Sequence, residues 1–369
     1  MFKKYDFRRY DFILILLMLA VSILGILVIG SAKKTVQDNQ IYGLIFGFVC
    51  MIVVSLIDYS FILKFSWLWY IVGIALLAMV HFWGVSVNNA TRWVEIFGVQ
   101  FQPSEVVKII LILFYAQFIM KHRETLNTVG IIGIMIILLG PPLFFIYEQP
   151  DLSTTIMTCV LFFILLFVGG LSYKVIGAVL VVAIPAVIVF MNMVLKPGQQ
   201  LINEYQQERI LAWLHPDKYP DIAYQQVNSI TAIGSGQLYG KGLANNVVGS
   251  VKNGNFISEP QTDFIFAIVG EELGFIGCCA IIILLALITI ECIMVARKSK
   301  DLAGELIASG MAGLVGVQSF INIGVTTGLL PNTGIPLPFV SYGMTSLVSL
   351  FIGMGFVINV RLQTPNYLT

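Results

Sequence analysis

Ten stretches of this 369-residue chain run for roughly seventeen residues or more with almost no charge, at 12–30, 41–57, 66–83, 104–120, 129–147, 153–169, 173–194, 264–290, 303–328 and 338–360. A helix needs about 17–25 such residues to cross the hydrocarbon core of a bilayer. Inside that core backbone N–H and C=O groups find no water, so only helices and closed barrels can span it. The short alternating segments of a barrel are absent. The pattern therefore predicts an all-α polytopic membrane protein with about ten transmembrane helices and a large extracellular loop between spans 7 and 8. Composition closes the soluble alternative: 58% of residues are hydrophobic and 11% charged, more apolar side chain than one soluble core can hide.

Orientation follows from the cations of the loops. With the N-terminus inside, the cytoplasmic segments hold Lys3, Lys4, Arg8, Arg9, Lys64, Lys121, Arg123, Lys174, Arg297, Lys298, Lys300 and Arg361. The outer short loops hold only Lys33, Lys34 and Arg92. Both termini are thus expected in the cytoplasm. The run after the N-terminal basic cluster is long for a signal-peptide core, which favours an uncleaved first helix. All five cysteines fall in apolar spans and read as small hydrophobes. Neither they nor the three histidines show metal-ligand spacing. The formal net charge of +1 says nothing about partners, and no nucleic-acid partner is expected.

One membrane domain covers residues 1–369, with 195–263 as a large external loop within it. Loops of that length are functional or disordered. Apolar residues such as Ile210, Leu211, Trp213, Tyr224, Val227 and Ile230 recur among its charges, which predicts amphipathic helices on the membrane surface. A glycine-rich run, Gly234 to Leu243, reads as a flexible turn. Its Lys241 fails the phosphate-loop pattern, since Ser235 and Gly242 occupy the wrong positions. A backbone nest with a lysine remains, suited to an anion.

The densest functional signal is Glu259 to Gly277. Asp263 is the last ionisable group before the chain re-enters hydrocarbon, where a low-dielectric wall raises a carboxyl pKa toward that of a working base. The plainer reading is a cap for a helix beginning at Phe264. Glu271 and Glu272 lie inside the following span, where ionisable groups are costly and default to function. At 100° per residue Glu271 sits on the side of the helix nearer Asp263. Gly270 and Gly274 form a strip for close packing.

Three further constellations stand on loops. Arg92 and Trp93 are either an interfacial anchor or a ligand contact. Gln102-Pro103-Ser104-Glu105 starts a helix in which Lys108 meets Glu105 one turn on, as a structural ion pair or a phosphate holder. Gln149-Pro150-Asp151 makes a turn, with Asp151 suited to cap the next helix. The prolines and glycines of 328–343 imply irregular backbone beside a cavity.

Together these pieces resemble the SEDS family of bacterial membrane proteins (shape, elongation, division and sporulation). The resemblance rests on Arg92-Trp93, Gln102-Pro-Ser-Glu105 with Lys108, Gln149-Pro-Asp-Leu152, Gly234-Ser-Gly236 with Gly240-Lys-Gly-Leu243, Thr262-Asp-Phe264 with Glu271-Glu-Leu-Gly274, and Leu337-Pro-Phe-Val-Ser-Tyr-Gly343. It departs at Gln237, where a further glycine is usual, and at Met344-Thr345, where Gly-Ser is usual. The resemblance implies a peptidoglycan glycosyltransferase of the bacterial cytoplasmic membrane, polymerising lipid II (an undecaprenyl pyrophosphate-linked disaccharide peptide) at its outer face for elongation, division or sporulation. It also implies a class B penicillin-binding protein as partner, and the family aspartate falls on Asp263.

In that reading Asp263 takes the proton of the attacking hydroxyl, and Arg92, Lys108, Arg209 and Lys241 are candidates for stabilising the leaving pyrophosphate. Trp93, Glu105, Gln149, Asp151 and Glu271 complete the expected substrate-binding set. No dedicated cofactor is expected, although a hydrated divalent cation such as Mg²⁺ could share the phosphate. An apolar groove would hold the polyprenyl tail, in contact with membrane lipid. The competing classes are a lipid II flippase and a noncatalytic scaffold for the penicillin-binding protein.

Overall fold

The computed structural model describes all residues except 1–4, 6, 88–89, 97–98, 197, 199–200, 245–249, 251–253, 255 and 365–369. Ten membrane-type helices form the body: α1 Phe12–Ala32, α2 Gln37–Ser55, α4 Ser66–Trp83, α5 Pro103–Lys121, α6 Val129–Glu148, α7 Leu152–Val168, α8 Tyr173–Val194, α11 Ile265–Arg297, α12 Leu302–Thr326 and α13 Met344–Leu362. Three short helices lie between them: α3 Tyr59–Lys64, α9 Glu204–Leu214 and α10 Pro220–Ser235. Nine of the ten are long enough to cross on their own, and α7 is one residue shorter than the least of these.

Helix starts follow the sequence. Asp11, Thr128, Asp151, Ser172 and Asp301 each accept a backbone N–H of the first turn, satisfying donors that a helix start leaves orphaned. Pro103 and Pro220 open α5 and α10, where a missing N–H costs nothing.

The core lies where α5, α11, α12 and α13 meet. Sixteen of the nineteen residues of α5 are buried, against Val194 alone on α8. Between α4 and α5 the chain adds an element that span counting does not show, an antiparallel three-stranded sheet: β1 Val85–Val87, β2 Ala90–Ile96 and β3 Val99–Phe101.

Three sequence expectations are corrected. The last span begins at Met344 rather than 338, because 331–343 is irregular backbone whose carbonyls are taken up by neighbouring side chains. The long loop does not lay its helices on lipid alone: α10 buries Ala223, Gln226, Ser229 and Ala232. Gln226 bonds the carbonyls of Val325 and Leu330, and Ser229 that of Thr326. Its apolar residues Tyr224, Val227 and Ile230 stay about half exposed on the other side.

The glycine turn is docked, not loose. α11 breaks at Gly274 (φ 64°, ψ −162°), and 236–242 fills the break. Lys241 and Gly242 donate their N–H to the carbonyls of Glu271 and Glu272, while Phe275 and Ile276 donate to Gln237 and Leu238. The strip at Gly270 and Gly274 packs against a second pair in register with it. A Cβ on Gly236 would fall 1.9 Å from the Gly270 oxygen, and one on Gly240 2.2 Å from that of Glu272.

Candidate functional site

Four loops converge at one end of the bundle. Arg92 comes from β2 between α4 and α5, Asp151 from the turn between α6 and α7, Arg209 from α9, and Asp263 from the residue pair ahead of α11. The segment 331–335 between α12 and α13 closes over them. These are the connections after the third, fifth, seventh and ninth spans. An odd number of crossings places them all on one face, so their meeting supports the span count.

The charged groups crowd around Gly334. A Cβ built on Gly334 (φ 73°) would stand 3.2 Å from Asp263 Oδ2, 3.8 Å from Arg209 Nη1 and 4.0 Å from Arg92 Nη1. Glycine is needed there twice, for its left-handed backbone and for the space its missing side chain leaves between carboxylate and guanidinium groups.

Each member is held by its own element. Asp151 caps α7, its Oδ1 accepting from Thr154 N (3.0 Å) and its Oδ2 from Thr154 Oγ1 (2.9 Å). Arg92 donates to the carbonyls of Pro150 (2.6 Å) and Gln149 (3.4 Å), and its Nε lies 3.6 Å from Asp151 Oδ2. Arg209 Nη1 donates to the Asn332 carbonyl at 3.4 Å. Ser153, next to Asp151, donates to the Thr333 carbonyl at 2.6 Å, tying the closing segment to α7.

Asp263 is not the cap that a helix starting at Phe264 would use. The helix begins at Ile265, its cap position is Phe264, and that position makes no side-chain cap bond. Half-buried at the surface of the bundle, Asp263 has its carboxyl pushed above the ordinary carboxylate range. Desolvation is the largest cause and the Asp151 charge adds to it, while Arg209 and Arg92 pull the other way. A carboxyl so placed is a stronger base once deprotonated.

The remaining sequence candidates separate. Trp93 follows Arg92 on β2 and pairs with Val85, where the strand register shifts by one residue. Gln149 is buried with its Nε2 on the Leu77 carbonyl, and reaches the cluster through its own carbonyl on Arg92. Glu105 and Lys108 form a sealed pair at 2.8 Å, both under 5% exposed. Ser346 bonds Glu105, and Gln318 bonds Lys108; this geometry favours the structural ion pair.

Lys241 and Glu271 pair with each other at 2.8 Å. The helical angle that favoured Glu271 does not apply, because Asp263 precedes the helix and α11 breaks just after Glu271. The apolar face of α8 from Lys174 to Ala183 borders a shallow, open depression lined by that helix alone and not a groove between helices. It lies toward the start of α8, the end away from the loop that carries Arg209, so the structure does not join it to the cluster. Among the described residues no group of three or more His, Cys, Asp or Glu side chains could cage a metal.

Two residues that sequence reading passed over prove central to this geometry. Gly334 was hidden in a proline-rich turn, and Asn322 in an apolar span. The signal for Asn322 was available: Gln318, Asn322 and Thr326 recur every fourth residue along α12, a polar stripe on one helical face.

Bundle and cluster together define a multi-pass membrane protein with a cluster of charged groups at one end of its helices. The chain belongs to the FtsW/RodA/SpoVE family, described as cell cycle proteins, whose sequence model matches residues 9–366. Among its relatives, the peptidoglycan glycosyltransferase MrdB of Escherichia coli (strain K12) is 33% identical over 366 residues, covering 97% of this chain and 95% of the relative. A probable peptidoglycan glycosyltransferase FtsW of Geobacter sulfurreducens is 32% identical over 378 residues, covering 96% of each. A chain from a solved peptidoglycan synthase complex, described as coordinating polymerization and crosslinking, matches with a TM-score of 0.78 at 27% identity. It covers 95% of this chain and 97% of that one. The rod shape determining protein RodA of Thermus thermophilus shares the fold with a TM-score of 0.67 at 24% identity, covering 95% and 96%.

Proposed function

We propose that this chain is a peptidoglycan glycosyltransferase that polymerises lipid II, with Asp263 as general base. The observation that carries the reading is the convergence of one carboxylate and two guanidinium groups around Gly334. In the proposed reaction the 4-hydroxyl of the acceptor sugar attacks the anomeric carbon of the donor. The carbon–oxygen bond to pyrophosphate breaks with inversion, and the hydroxyl proton passes to Asp263. Arg92 and Arg209 stand where charge grows on the leaving pyrophosphate, the place for fixed cations. They supply that charge from the chain itself, and no step here runs through a metal.

The loop-cation rule places both termini in the cytoplasm and hence the cluster on the outer face, where a lipid-linked sugar presents its headgroup. The synthase complex among the structural relatives supports a penicillin-binding protein as partner. Purified protein incubated with labelled lipid II tests the function. Glycan polymer is expected. Movement of lipid II across a vesicle without polymer would mean a flippase, and neither product would mean a scaffold.

A further inference from the structure

α12 lines the cluster from below with buried polar side chains. Gln318, Asn322 and Thr326 occupy one face and are 0–1% exposed. Gln318 Nε2 donates to the Pro336 carbonyl at 3.0 Å, and its Oε1 accepts from Lys108 at 3.2 Å. Asn322 Nδ2 donates to two carbonyls, that of Asp263 at 2.8 Å and that of Ile335 at 2.7 Å. Both amide hydrogens are thereby used. One planar group, rigidly fixed on a helix, spans the residue that carries the carboxylate and the residue that follows Gly334.

Irregular backbone at membrane depth needs such donors merely to exist, so a purely structural role has to be separated from a catalytic one. The position of the bond makes the difference. Asn322 does not hold the closing segment to the helix alone; it holds it to Asp263. Two further bonds act in the same register: Ser341 Oγ donates to the Thr262 carbonyl at 2.7 Å, and Tyr342 N donates to that of Gln261 at 2.9 Å. Those hold the two residues before Asp263, whereas Asn322 bonds Asp263 itself.

We propose that Asn322 is a positioning residue for glycosyl transfer, its side-chain amide pinning the Asp263 main chain to the Gly334 segment so that the carboxylate stays opposite Arg209 and Arg92. The inference rests on Asp263 acting as the base. Asn322 touches no substrate; its effect reaches the reaction through where the carboxylate stands. Loss of the amide lets Asp263 drift from the two cations, which weakens their pull on its proton. Turnover should fall while substrate binding holds, and the acidic limb of the pH–rate profile should move to higher pH.

A matched control lies on α10. Gln226 Nε2 also donates to two carbonyls, of Val325 (2.8 Å) and Leu330 (2.7 Å), and so makes the same kind of bridge without touching Asp263. The test compares Asn322→Leu with Gln226→Leu in full-length purified protein, measuring lipid II polymerisation across pH and correcting for folded fraction. For Asn322→Leu we expect kcat to fall about tenfold or more with KM within about twofold, as a misplaced catalytic group requires. Its acidic limb should shift alkaline, whereas Gln226→Leu keeps the limb of the parent. Should the leucine variant fail to fold, Asn322→Ser, which leaves room for water, is read by the same criteria.

An unmoved limb and parental kcat in the Asn322 variant would overturn the inference. So would an equal shift in Gln226→Leu, since general loosening would then explain both. Asp263→Asn is run alongside. If it keeps parental activity, the base assignment itself has failed; if it is inactive while the Asn322 limb is unmoved, only the positioning role has.

Discussion

The two ends of the bundle carry clusters of similar ingredients put to opposite use. At the end opposite the candidate site, Arg361 of α13 donates from one nitrogen to both Asp11, ahead of α1, and Glu291 of α11. Nearby, Asp301 caps α12 while accepting from the Tyr59 hydroxyl at 2.8 Å, and Asn359 holds the Tyr59 N–H. Asp11, Glu291 and Asp301 are each consumed by direct bonds at helix ends. At the site end, Asp151 is consumed in this way, but Asp263 faces a glycine. Two carboxylates and an arginine do not make a site; a carboxylate that meets two guanidinium groups across a glycine does.

This contrast can be broken from either side. The largest effect is expected at the closed end. Arg361→Met would leave two buried acids facing each other. Breaking a buried pair costs about 3–5 kcal/mol, and the low end applies because Arg361 is 32% exposed. Thermal unfolding should report that loss while turnover per folded molecule is kept; a selective loss of turnover would mean the closed end also serves catalysis.

Arg209→Ala should do the reverse. Removal of one preorganised charge from a transition state costs about 10²–10³ in kcat, and unfolding should barely change. The base works deprotonated, so activity falls as pH drops through the Asp263 pKa. Arg209 lowers that pKa, so its loss raises the pKa and the acidic limb moves alkaline. A limb that stays in place, or moves to lower pH, would remove Arg209 from the site.

Glu105 and Lys108 test where the boundary falls. As a sealed pair they belong with the closed end, so Glu105→Gln and Lys108→Met should each lower Tm and the double change partly restore it. A coupling of about 1–3 kcal/mol is expected from the double-mutant cycle. Lost activity at unchanged stability in Lys108→Met would move the pair into the site.

The smallest effect is at Gln237, which adopts φ 49°. The left-handed cost of about 1–2 kcal/mol, less the extra chain entropy of glycine, leaves a gain of about 0.5 kcal/mol for Gln237→Gly. A loss of stability on that change would show that the Gln237 side chain is needed in the docked turn.

Much of this was legible before the fold. Ten spans follow from length and apolarity, because the bilayer imposes one length on all of them. Asp263 stood out as a charge at the edge of a span, Arg92 and Asp151 as charges of short outer loops, and Arg209 as a cation of the large external loop. What the sequence does not display is which charges meet. Lys241 and Arg209 lie on the same loop with similar surroundings, yet one pairs inside the break of α11 and the other faces Asp263. That choice depends on Gly236 and Gly240 docking against Gly270 and Gly274, a long-range fit with no local signature. Gly334 and Asn322 escaped because charge guided the search, and their contributions are an absent side chain and a neutral amide. Burial was equally hidden: α5 and α8 are both apolar runs, but α5 carries Glu105, Lys108 and Gln117 and is the enclosed one. In a membrane, polar residues mark the inside.

The proposed reaction stands or falls with Asp263 as the base. Asp263→Asn keeps the shape of the side chain and, since Asn322 bonds only the main-chain carbonyl, leaves that bond in place. Polymerisation of labelled lipid II by the purified variant should fall at least about 10²-fold, the low end for general-base catalysis, with unfolding temperature and binding of the partner unchanged. Glycan strands made at the parental rate by that variant would contradict the account.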